Sequence, residues 1–114
     1  MASNKIRKET IMNGEPVVLI NAFEVPDGQD DAFLQAWERT GAFLSTQEGY
    51  LSTRLHRSLS PSAEFRFVNV ARWESPQAFQ AAISQPEFRT SANTGRPWCD
   101  RTGLYAMASQ RTPG

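Results

Sequence analysis

The sequence is short of the residues that most site chemistries need. It contains one cysteine, Cys99, and one histidine, His56, in 114 residues. A single cysteine cannot close an internal disulfide, and four-cysteine metal sites are excluded. The expectation is a reduced, cytoplasmic protein with an incidental thiol. A reactive Cys99 would need a lowered pKa, for which the nearby Arg101 is the only support. No cluster of histidine with carboxylates points to a metal. The P-loop and G-x-G-x-x-G patterns are absent, which removes the nucleotide and flavin fingerprints. G-x-S-x-G is absent too, so a hydrolase has no support. There is no excess of either charge: acidic and basic residues number 12 each. Such a balance does not favour nucleic acid or an anionic membrane as partner. No apolar run approaches the roughly 20 residues that span a bilayer. The segment "MASNKIRKETIMNGEP" has basic residues but no apolar h-region, so it is expected to be a flexible leader rather than a secretory signal.

What is present reads as one domain. The expected division is a leader at 1–15, a folded domain at 16–110 and a tail at 111–114. "VVLINAFEV" (17–25) is rich in β-branched and aromatic residues and reads as a strand. Val17, Leu19, Asn21, Phe23 and Val25 share one face, and Val18, Ile20 and Ala22 the other. Both faces are apolar, which predicts a central strand. After the turn residues "PDG", the spacing of Phe33, Trp37 and Leu44 predicts a helix over about 29–46, with Phe43 beside the stripe. Asp30 and Asp31 suit its positive end. Gly41 weakens that helix, and a small residue there is expected to let it sit close to the sheet. The aromatic group Phe33, Trp37 and Phe43 reads as core.

"YLSTRLHRSL" (50–59) alternates, with Leu51, Thr53 and Leu55 on one face and Ser52, Arg54 and His56 on the other. That is a half-buried strand near an edge. "SPSAE" turns the chain back into "FRFVNVARW" (65–73), the next strand. Ser75 is then an N-cap and Pro76 a first helical residue. Pro86 ends that helix near Ser84. A short turn at about 86–92, a loop "NTGRPW" (93–98) and a last strand "GLYAMAS" (103–109) complete the order. Strand, helix, strand, strand, helix, strand is the ferredoxin-like βαββαβ unit, an α+β fold with a four-stranded antiparallel sheet. In that topology the first and third strands are central, and these are the two that read as apolar on both faces.

The segments "FEVPDGQDDAFLQAW", "GYLSTRLHRSL" and "FRFVNVARWESPQAFQAA" resemble the antibiotic biosynthesis monooxygenase superfamily over roughly residues 16–110. "W-E-S-x-x-A-F" is the most specific part. The resemblance implies a homodimer in which two sheets close into a dimeric α+β barrel. That suits a sheet with helices on only one face, whose other face needs cover. It also implies one of two chemistries. In the first, a cofactor-independent monooxygenase oxidises an anthrone-, phenol- or quinol-like compound of secondary metabolism, with molecular oxygen as co-substrate. The protein then binds a flat aromatic, helps remove a proton and stabilises the anion.

On that template Asn69 and Trp73 carry catalysis, and their spacing of four puts them on one strand face. Arg89 is the candidate for a contributing arginine. Asn21 and His56 are candidate substrate contacts. Phe79 stands where the template has an aromatic hydroxyl. The second chemistry is haem degradation, which Asn21 also fits. Its histidine ligand and second-helix tryptophan fall at Ala92 and Ala82, so haem is not expected by that route. The remaining alternatives are a non-catalytic ligand-binding or auxiliary dimer, and haem binding with other ligation.

Overall fold

Val17–Glu24 forms strand β1. Helix α1 follows at Asp30–Leu44, then strands β2 at Tyr50–Arg57 and β3 at Phe67–Trp73. Helices α2 at Pro76–Ile83 and α3 at Pro86–Ala92 lead to strand β4 at Cys99–Tyr105. The computed structural model describes residues 16–92 and 98–113. The expected leader and most of the expected 93–98 loop lie outside the described residues, as do the side chains of Cys99 and Ala92. The strands pair in the order β2-β3-β1-β4, all antiparallel. This is the ferredoxin-like α+β sheet, with β1 and β3 central.

Each element follows from local chemistry. Ser75 sits in extended backbone, and its side chain accepts a hydrogen bond from the Ala78 backbone N–H, with Pro76 in the first turn. That arrangement caps an otherwise orphaned donor and pre-sets the helical φ. Gln29 precedes α1 without a side-chain cap. Asp30, expected to serve the helix dipole, also binds Arg66, accepting from Nε at 3.1 Å and from Nη2 at 3.0 Å. One carboxylate therefore ties the start of α1 to the chain entering β3. Gly49 has φ +90°, and a Cβ there would fall 2.4 Å from the Ala78 Cβ. The turn into β2 thus needs glycine twice over, for its left-handed backbone and for the close approach of α2.

The register assigns the faces. Leu19 pairs with Ala71, Asn21 with Asn69 and Phe23 with Phe67. These residues look toward the helices. Val18, Ile20, Ala22, Val68 and Val70 look the other way and are only half-buried. A register shift between Tyr50 and Ser52 corrects one expectation. Leu51 does not share a buried face with Thr53 and Leu55; it is the extra residue and is 42 % exposed.

Two apolar clusters lie between sheet and helices. The first joins Val17, Leu19, Ala71, Trp73, Phe79 and Ala82. The second is aromatic, built on Phe33. That ring stacks on Phe67 at 4.6 Å between centroids and meets Phe23 at 4.9 Å and Trp98 at 5.3 Å. No helix among the described residues is long and apolar enough to cross a membrane.

Two boundaries moved. The last strand begins at Cys99 rather than 103 and ends at Tyr105 rather than 109. Gly41 does not mediate close packing either, since a Cβ there would meet nothing within 4 Å. It borders an open space instead.

Candidate functional site

A row of polar side chains crosses the middle of the apolar inner face. Asn69 is only 2 % exposed. Its cross-strand partner is Asn21, whose other neighbour is Thr102 on β4. Asn69 Nδ2 donates to Asn21 Oδ1 at 2.8 Å, and Asn21 Nδ2 donates to Thr102 Oγ1 at 2.9 Å. The Thr102 hydroxyl donates to Asp100 Oδ2. Three strands thus supply one chain of bonds from an exposed carboxylate to a buried amide. At its inner end, Asn69 Oδ1 is buried and no described group donates to it. An acceptor left in that condition costs about 1–3 kcal/mol.

The row borders a cavity of about 450 Å³ between the sheet and the helices. The sheet side is formed around Asn21, Asn69 and Trp73. The helix α1 side includes Phe33, Trp37 and Gly41, and α2 adds Phe79. The open space beside Gly41 is this cavity. Trp73 is 1 % exposed and is held edge-on by Tyr50 at 5.5 Å and by Phe79 at 5.6 Å. Its orientation is therefore fixed by two rings before any ligand arrives. Phe33 and Trp37, expected as core, also wall the cavity; Phe43 does not line it.

Among the described lining residues, Asp100 is the one charged group, and there is no lysine, arginine or histidine. The space is thus an apolar, aromatic-walled slot with a line of amide and hydroxyl dipoles along one side. Such a slot suits a flat, mostly apolar ligand carrying a small number of polar atoms. No group of three or more potential metal ligands occurs among the described residues.

The structure brings together Asn21, Asn69, Trp73 and Phe79 around this cavity. It does not bring Arg89 or His56 there. Arg89 is exposed near the end of α3. His56 lies on the outer face of β2, opposite Val68. Its Nδ1 is 3.3 Å from the Val68 carbonyl oxygen. The reason is parity: Leu55, not His56, pairs with Asn69, and side chains alternate across a strand.

Thr102 and Asp100 were missed by the sequence reading because the last strand was started at 103. The signal was the alternation of Asp100, Thr102 and Leu104, which places all three on the helix-facing side.

The model of the antibiotic biosynthesis monooxygenase family matches residues 16–93. Deoxynogalonate monooxygenase of Streptomyces nogalater is 31% identical over 85 residues, covering 75% of this chain and 70% of that protein. A mycobilin-producing heme oxygenase of Mycobacterium tuberculosis is 34% identical over 77 residues, covering 68% of this chain and 71% of its own length. Among solved structures, SnoaB, a cofactor-independent oxygenase from Streptomyces nogalater, superposes with a TM-score of 0.74 at 30% identity. That superposition covers 89% of this chain and all of SnoaB. With a family model over residues 16–93, which take in β1 to β3 and all three helices, the chain belongs to the antibiotic biosynthesis monooxygenase family.

Proposed function

We propose that the protein is a cofactor-independent monooxygenase acting on a flat aromatic compound of the anthrone or quinol type. One observation carries the reading. A buried amide, Asn69, borders an aromatic-walled cavity with its carbonyl oxygen unpaired. A soluble domain that needed only stability would fill that place with an aliphatic side chain.

In this reading the substrate ring slides between Trp73 and the α1 aromatics. A phenolic hydroxyl donates to Asn69 Oδ1 and fixes the ring's direction. The reaction converts an activated methylene to a carbonyl: the carbon loses two hydrogens and gains one oxygen atom of O2. The other oxygen leaves as water, so the substrate is the reductant. The described lining residues supply no lysine, histidine or second carboxylate as a base. That favours a substrate whose own C–H is acidic, as in an anthrone. With no cation among the described lining residues, the developing anion falls to the indole N–H of Trp73 and the amide dipoles.

The relation to a heme oxygenase raises haem as a ligand, and the residues do not fit it. Haem iron is held by histidine, cysteine, methionine or tyrosine, and none of these is among the described lining residues. His56 is on the opposite face of the sheet. Ala82 is buried in the apolar core at 1 % exposure. No step here is routed through haem.

The second reading is a binding dimer without turnover. The lack of a histidine or lysine base among the described lining residues and the phenyl ring of Phe79 in place of a phenol support it. Oxygen uptake with an anthrone, beside calorimetric binding of the same compound, separates the two. Saturable binding without uptake establishes the second and defeats the first. A homodimer formed through the outer sheet face belongs to this proposal, since Val18, Ile20 and Val70 are half-buried there. Light scattering should give twice the monomer mass of 12.8 kDa; a clean monomer would remove it.

A further inference from the structure

The bond row has a direction, and we infer that Asp100 sets it. Asp100 is a positioning residue: acting through Thr102 and Asn21, it turns Asn69 so that the site demands a hydrogen-bond donor and selects ligands carrying O–H or N–H. The inference rests on the aromatic-ligand reading of the cavity and adds to it the residue that sets its selectivity.

An ionised carboxylate only accepts hydrogen bonds. The single hydroxyl hydrogen of Thr102 is therefore spent on Asp100 Oδ2. The Thr102 oxygen must then be fed by a donor, and Asn21 turns its NH2 group to it at 2.9 Å. That choice points Asn21 Oδ1 the other way, where it takes the Nδ2 hydrogen of Asn69 at 2.8 Å. Asn69 is left with Oδ1 inward, buried and unmet. Turning over either amide alone would set two acceptors or two donors face to face.

The row can reverse only as a whole, and the carboxylate at its end forbids that. Without Asp100 the Thr102 hydroxyl is free to donate to Asn21. Both amides can then turn, Asn69 Oδ1 becomes occupied, and its NH2 group is the one left over. An exposed side chain on β4 thereby governs what a buried atom on β3 will accept. A purely local Asp-x-Thr contact steadying β4 would have no such reach.

The test is calorimetric binding to the full-length protein of 1-naphthol and 1-methoxynaphthalene, which share a ring while only the first can donate. The wild type should prefer naphthol by about tenfold, the worth of one hydrogen bond. Asp100→Ala and the near-isosteric Thr102→Val should each cut that preference below about threefold, and Thr102→Ser should restore it. Comparing ratios between variants cancels the bulk of the methyl group. Asp100 is exposed, so its removal spares the core; Thr102→Val carries the test should that variant fail to fold. A wild-type ratio near one, or an unchanged ratio in both variants, overturns the role of Asp100 while leaving the aromatic site standing. Binding of neither probe overturns both.

Discussion

Replacing Asn69 by leucine separates what the residue does for the fold from what it does in the cavity. Leucine has nearly the outline of asparagine and no polar atoms. The substitution removes the 2.8 Å bond to Asn21, a net loss of about 1 kcal/mol. It also removes the buried Oδ1 that lacks a donor, a gain of about 1–3 kcal/mol. Asn21 keeps its bond to Thr102 and is itself a cavity-lining residue. The balance is a protein unchanged or stabilised by up to about 2 kcal/mol. For a domain of this size that is a rise of up to about 10 °C in melting temperature. Urea denaturation followed by circular dichroism should show the midpoint holding or rising with an unchanged slope. Oxygen uptake with an anthrone should fall by at least about tenfold, the worth of one lost hydrogen bond. A loss of stability above about 1 kcal/mol would refute the reasoning. It would mean that the amide is held for the fold and that its oxygen is satisfied.

Gly49→Ala must place a Cβ at φ +90° and 2.4 Å from Ala78, so it should lose about 2–4 kcal/mol by the same denaturation assay. Gly41→Ala, which meets nothing within 4 Å, should gain up to about 1 kcal/mol. Ser75→Ala removes the 3.1 Å cap on the Ala78 N–H and should lower stability by about 1 kcal/mol, readable in the urea midpoint.

The architecture was legible in the sequence because the two central strands advertise themselves. Residues 17–24 and 67–73 carry apolar side chains on both faces, and only the middle of a sheet rewards that pattern. The polar exceptions inside them, Asn21 and Asn69, were legible for the same reason: an amide at such a position needs a partner. That the two are each other's partner followed only from the register, which no spacing within one strand contains.

The fourth strand was harder. "CDRTGLYAMAS" holds two stretches that alternate equally well, and the expected strand took the second. Pairing with β1 decides between them, because Asp100 lies opposite Phe23 and Thr102 opposite Asn21. Arg89 and His56, expected at the site, do not line the cavity. Arg89 is exposed near the end of a short helix, and His56 stands on the β2 face that the alternation had already set apart from Thr53 and Leu55. The helix-side wall of the cavity was not legible in sequence, since Phe33 and Trp37 have the same helical spacing whether they fill a core or wall a slot.

The most direct test of the central claim is oxygen consumption by the purified protein with an anthrone substrate and no added metal, flavin or haem. The account predicts saturable uptake of one O2 for each quinone formed, lost in Asn69→Leu and much reduced in Trp73→Phe. Uptake no faster than the uncatalysed reaction, or equal rates in the wild type and both variants, would contradict it.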